Sequence, residues 1–270
     1  MTAADRRGFT LTELLVVTVL GALVVAASLQ ILVTNQRTYT AQSAQIRGQQ
    51  NTRAALDILT AEIREISPLG GDLITMGSTA MEVRVMRKLG VGCDVDYGGT
   101  PSVRAIRVGD VFAKGDSVFV FADNDEDIRS DDTWITAIVT SVDTTELCGT
   151  IPAMEIDFAG QAAAFAADSV RSGAPVRSFV HYTYGLYTMA DGQTYLAREG
   201  RDGNPAVPIV GPLKPSGGLE FVYLDAEGNK TTVSTDVRQV AVKLRTHSGV
   251  LNSLGEIVSD SISAWIYTRN

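Results

Sequence analysis

The chain has 270 residues, 45% of them hydrophobic, with a formal net charge of −8 at neutral pH, which is ample for one globular domain of ordinary size. With 31 acidic residues against 23 basic and no basic cluster past the N-terminus, the charge excludes direct nucleic-acid binding. Two cysteines, without Cys-x-x-Cys or Cys-His spacing, offer neither a zinc site nor a redox pair.

The first element runs over residues 8–36, GFTLTELLVVTVLGALVVAASLQILVTNQ. From 14 to 33 it is twenty residues without a charge, a length that spans about 30 Å as a helix, the thickness of a bilayer's hydrocarbon core. A membrane-spanning helix is predicted. A secretory signal peptide is the alternative, since Ala26-Ala27-Ser28 imitates a cleavage site, but the apolar run is long and passes unbroken into a polar helical pattern. Arg6 and Arg7 precede the span, which places the N-terminus in the cytoplasm and everything after residue 33 outside.

Glu13 is the one carboxylate in this stretch. Near the membrane edge a carboxylate costs roughly 2.5–3.5 kcal/mol on insertion scales. One reading has it snorkel to the interface. The other supplies a cation: a cut after Gly8 creates an α-amino group on Phe9, four residues from Glu13 on the same helical face. In a bundle of such helices the amine of one pairs with the carboxylate of the next and sets the axial register.

Gly-Phe-Thr-Leu-x-Glu before an apolar helix resembles the prepilin N-terminus of type IV pilins and type II secretion pseudopilins. The resemblance implies that prepilin peptidase cuts after Gly8, that Phe9 becomes the N-methylated first residue, and that Glu13 is the assembly carboxylate. Residues 1–8 are then a leader, 9–34 a transmembrane and filament-core helix, 35–67 its amphipathic second half, and 72–270 an extracytoplasmic β-rich domain. Losing the leader removes two Arg and one Asp and moves the charge from −8 to −9.

Residues 34–66 contain no Pro and one Gly, and Leu56, Leu59, Ile63 and Ile66 recur on one face, so the helix is expected to continue to about Ile66, close to 85 Å in all. Ser67-Pro68-Leu69-Gly70-Gly71 ends it. Alternation then predicts strands over 81–88, 104–108, 117–122, 134–142, 154–158, 176–184, 219–224, 237–245 and 262–268, with a hairpin turn at 225–229. The expected fold class is α+β, a long N-terminal helix packed on a mainly antiparallel sheet.

In the C-terminal half, YLAREG, PIVGPLK, GLEFVYLDAEGN and VRQVAVKLR follow the order seen in PilW-type minor pilins and J-type minor pseudopilins, a second and weaker resemblance. Residues 90–173 match nothing nameable and are where a ligand is expected if the protein is a binding module. In an exported chain, Cys93 and Cys148 are expected to form a disulfide closing a loop of about 55 residues, worth roughly 4 kcal/mol, the alternative being two buried thiols. Asp123, Asp125 and Asp127 are spaced as in a calcium loop, but Ile128 and Trp134 stand where an EF-hand needs Gly and Glu. The readings are a solvated acidic loop or a calcium site of another kind; no other cofactor is implied.

The two histidines, His181 and His247, have no nearby nucleophile pattern, so no enzyme is expected. The implied partners are other pilins or pseudopilins through helix packing, prepilin peptidase and an inner-membrane assembly platform. The expected location is the inner membrane, then a filament. A mature chain of 262 residues favours a minor tip or priming subunit over a shaft subunit; a membrane-anchored adhesin is the third reading.

Overall fold

The computed structural model of the chain describes residues 10–125, 127, 132–159, 164–165, 169–252 and 254–269. They form one α-helix followed by strands that pair antiparallel throughout, the α+β arrangement the periodicities predict.

The helix, α1 (Leu11–Glu65), is roughly 80 Å long at the standard rise. Its first thirty residues, 11–40, are exposed throughout: Leu14 is 62% exposed and Val33 46%. Burial begins at Ala44 and continues through Gly48, Thr52, Ala55, Leu59 and Ile63. The buried stripe is longer than the Leu and Ile pattern predicts, because its first half consists of small residues. Gly48 shows why: a Cβ there would sit 3.1 Å from Thr246 Oγ1, so the helix backbone approaches the neighbouring chain closely. Asn51 Nδ2 donates to the Gly211 carbonyl at 2.7 Å and ties the same stretch down.

After α1 come β1 (Leu73–Met76), β2 (Ala80–Asp96), β3 (Ser102–Val108), β4 (Ser117–Ala122), β5 (Thr133–Asp143), β6 (Leu147–Cys148), β7 (Ile151–Phe158), β8 (Pro175–Thr188), β9 (Thr194–Gly200) and β10 (Val207–Val210). Three more, β11 (Leu219–Leu224), β12 (Gln239–Arg245) and β13 (Ser261–Tyr267), make a separate sheet in that order. The short strands β1, β6 and β10, and the seven-residue β9, were not among the strands expected from alternation. The turn at Asp225 forms, with its carboxylate accepting the N–H groups of Glu227 and Asn229. It returns only to a single bridge between Leu224 and Lys230, however, and β12 starts later, at Gln239.

The first sheet contains a closed barrel. Strands β2, β3, β7, β5, β4 and β8 pair in that order, and β8 pairs back to β2. Closure leaves these six strands without a free edge, and a barrel of this size is filled by its own side chains. Val103, Val118, Val120, Ile135, Met154, Ile156 and Val176 fill it, with Phe158 stacked on Phe165 at 5.3 Å. Gly90 faces inward where a Cβ would lie 3.1 Å from that of Ala105.

A second core shares no residue with the first. Leu59, Ile63 and Ile66 of the helix end pack with Met81, Val83 and Val85 of β2, Tyr184 of β8, and the inward faces of the β11–β13 sheet, Phe221, Val242 and Ile266 among them. The two cores are joined by the β2–β8 ribbon, paired from Ala80 with Gly185 to Val91 with Pro175. One extra residue on β2 at Arg87 shifts the register, so β2 buries odd positions (81, 83, 85) in one core and even ones (90, 92) in the barrel. A bulge of this kind slips the two-residue period by one and switches which side chains face inward. The barrel is therefore an insertion, hung on the ribbon from a helix-and-sheet core.

Candidate assembly site

Among the described residues, the helix begins with Thr10 as N-cap. Thr10 Oγ1 accepts the Glu13 N–H at 3.3 Å, and Glu13 Oε2 accepts the Thr10 N–H and hydroxyl, each at 3.0 Å. This capping box satisfies backbone donors that the first turn otherwise leaves unpaired. Its signature, Thr-x-x-Glu ahead of an apolar run, is present at residues 10–13 and was legible in the sequence. The consequence is geometric: the carboxylate is held against the start of the helix, on an exposed segment. Gly8 and Phe9, the expected cleavage pair, lie outside the described residues.

Beyond Glu13 the surface is apolar on every side, with Leu15, Val19, Leu23 and Leu32 all more than half exposed. Gly21 sits among them with nothing within 4 Å of a Cβ position, so a second helix can approach closely there. The helix is long and apolar enough to cross a membrane. It is also one unbroken element with the buried stripe from Ala44 to Ile63.

Residues 4–29 match the family model described as the prokaryotic N-terminal methylation motif. The chain carries that motif. The match begins inside the expected leader, includes Gly8, Phe9 and Glu13, and ends within the apolar helix, and it supports a type IV pilin-like, membrane-associated structural subunit that assembles with other pilins. No curated protein and no solved structure matches the chain.

The remaining sequence candidates are scattered. Cys93 at the far end of β2 and Cys148 in β6 are joined by a disulfide, with Cα atoms 6.0 Å apart, on the barrel side distant from α1. Asp123, Asp125 and Asp127 lie in the loop after β4, where Asp125 accepts the Asp127 N–H at 3.1 Å. Among the described residues no group of three or more His, Cys, Asp or Glu side chains converges as a metal site. His181 on β8 stands 3.7 Å from Glu82, whose Oε1 also accepts from Arg201 at 2.6 Å. Burial, with Arg201 adding to it, holds the imidazole below its ordinary pKa. His247 follows the bridge from Thr246 to Leu213 and donates its backbone N–H to Pro212.

Proposed function

We propose that this chain is a minor pilin or pseudopilin, a structural subunit that enters a type IV pilus or type II secretion pseudopilus through its N-terminal helix, in the tip or priming complex. The observation that carries the reading is the position of Glu13: third residue of a capped helix whose next twenty residues are uncharged, mostly apolar and exposed. Such a surface is stable only in lipid or against other helices.

Prepilin peptidase removes residues 1–8 and Phe9 becomes the methylated N-terminus. In the membrane the Glu13 carboxylate is satisfied by Thr10. On docking, the amine of an adjacent subunit joins it as a partner, and a full ion pair shielded from water adds to what the neutral donors of Thr10 supply. The apolar residues 14–33 are then covered by neighbouring helices, and the assembly platform and its energy source lift the subunit from the bilayer. The folded domain stays outside the cytoplasm throughout. A calcium ion in the loop at Asp123, Asp125 and Asp127 belongs to this proposal as a separate, removable part.

A second reading, a filament-borne or membrane-anchored binding module, is favoured by one observation: the barrel has its own core and stands apart from α1. Sheared filaments test the main reading. Glu13→Ala is expected to insert and be cleaved but to stay in the membrane fraction; its normal appearance in filaments would overturn the pairing mechanism. Gly8→Glu is expected to leave the leader uncut, which N-terminal mass spectrometry reads directly.

A further inference from the structure

The β2–β8 ribbon has an outer face, turned away from both cores, where Arg84, Met86, Arg177 and Phe179 emerge. Phe119 of β4 stacks on Phe179 at 4.5 Å and meets Trp134 of β5 edge-on at 6.2 Å. Arg84 lies 5.0 Å over the Phe119 ring, and Arg177 lies 4.9 Å over Trp134. The turn after α1 closes over this aromatic floor, and Arg269, after β13, donates its backbone N–H to Ile66 and reaches the same place. Between them is a cavity of about 90 Å³, walled by Asp72, Met86, Phe119, Trp134, Arg177 and Arg269.

The charges around it do not close. Asp72, only 2% exposed, accepts the Ser67 N–H at 2.8 Å and stands 3.7 Å from Arg84 Nε, which also donates to the Gly71 carbonyl. Arg87 is bound to Glu62 at 3.0 Å and Lys88 to Asp116 at 2.6 Å. Arg177 and Arg269 remain. Among the described residues neither guanidinium donates a hydrogen bond or forms an ion pair, although both line this cavity and a neighbouring one of about 340 Å³ that also holds Glu65. Burial, and then the proximity of Arg269, depresses the Arg177 pKa while the Asp72 carboxylate pulls it the other way, so one buried acid is shared among three guanidiniums, Arg84, Arg177 and Arg269. Two forked donors without a hydrogen-bond partner among the described residues, sharing one acid with Arg84 beside an aromatic wall, form a receptor for a planar anion.

We propose that this cavity binds a carboxylate carried on an apolar or aromatic group, the acidic side chain or C-terminus of a partner polypeptide, with Arg177 and Arg269 gripping the carboxylate and Phe119, Met86 and Trp134 holding the stem. A phosphate fits less well for two reasons. The Asp72 carboxylate shares the cavity and repels a dianion more strongly than a monoanion, and half of the wall is apolar. The site stands on the pocket alone and does not depend on the filament reading.

The test uses the full chain in a nonionic detergent, with Trp265→Phe, a residue 67% exposed, so that Trp134 is the remaining fluorophore. N-acetyl-phenylalanine is titrated against its neutral amide and against inorganic phosphate. A saturable change with the carboxylate, at least tenfold weaker with the amide and with phosphate, is expected. Arg269→Gln, at an exposed position, is expected to weaken binding about tenfold and Arg177→Gln with Arg269→Gln to abolish it, with an unchanged near-ultraviolet spectrum as the check on folding. Equal response to the amide, tighter binding of phosphate, an undiminished response in the folded Arg269→Gln variant, or no saturable response to the carboxylate would each overturn the proposal.

Discussion

The backbone N–H of Thr10 donates to Glu13 Oε2 at 3.0 Å while Thr10 Oγ1 accepts the Glu13 N–H at 3.3 Å. Glu13 therefore has a structural role in the single subunit before any neighbour arrives. The two roles separate by substitution, because Gln keeps the capping geometry and loses the charge. Glu13→Gln is expected to match Glu13→Ala in failing to enter filaments while keeping a helical first turn by NMR of the detergent-solubilised chain. Thr10→Ala is expected to fray that turn at a cost of about 1 kcal/mol and to reduce incorporation only partly. Rescue of assembly by Gln would make the cap, and not the charge, the assembly determinant.

The two helix glycines are predicted to behave oppositely. Gly48 faces Thr246 Oγ1 at 3.1 Å from its would-be Cβ, whereas Gly21 has open space. Gly48→Leu is expected to push the helix off the segment around residue 246 and to lower the domain's thermal midpoint by several degrees, an overpacking cost of roughly 1–3 kcal/mol. Gly21→Leu is expected to leave that midpoint unchanged and to impair packing between subunits, which filament yield measures.

Leu59 is completely buried where the helix end meets the β11–β13 sheet. Leu59→Ala is expected to cost about 2–5 kcal/mol, since the removed methyl groups leave a cavity between a helix and a sheet that cannot collapse freely. Denaturant unfolding of the solubilised chain reads this directly, and a change below about 1 kcal/mol would show that the helix end is loosely held.

The Cys93–Cys148 bond spans a sequence separation of 55 and lies wholly on the barrel side. Replacing both by Ser is expected to destabilise the barrel by about 4 kcal/mol through the freed chain entropy. Because the cores share only the ribbon, hydrogen exchange is expected to accelerate at Val103, Ile135 and Ile156 and to hold steady at Leu59 and Val242. Uniform acceleration in both sets would mean the cores unfold together.

His181 is held below its ordinary pKa of 6.5 by burial and by Arg201, against the opposing pull of Glu82. The unfolded chain then binds the extra proton first, so this histidine's contribution to stability is complete above about pH 6.5 and is lost as pH falls toward the folded value. Between about pH 7.5 and 5.5 the thermal midpoint is expected to drop, and His181→Gln is expected to remove part of that slope. An unchanged slope in the variant assigns the pH dependence to other groups.

Much of the fold was legible from local pattern. The strand expected over 117–122 is β4 itself, 219–224 is β11, and the helix stop at Ser67-Pro68 falls two residues past the last helical residue, Glu65. What failed were features without a local period. Strands β1 and β10 have four residues each, and β6 has two. The helix stripe at Ala44, Gly48 and Thr52 is made of residues whose burial depends on what lies opposite. At the candidate site, the motif from Gly8 to Glu13 was readable and the Thr10 cap was present but unread. The arginine-lined cavity was not readable at all, since its walls come from positions 72, 86, 119, 134, 177 and 269.

The sequence by itself determined the long helix, its exposed apolar beginning, the methylation motif and the alternating strands, because each is written in neighbours a few residues apart. Only the tertiary structure decided that six of those strands close into a barrel, that a one-residue bulge at Arg87 divides β2 between two cores, and that Arg177 and Arg269 share a cavity and, together with Arg84, the buried carboxylate of Asp72. These follow from contacts between segments about one to two hundred residues apart in the chain, such as Ala80 with Gly185 and Ile66 with Arg269. No local period encodes a partner at that distance; packing selects it.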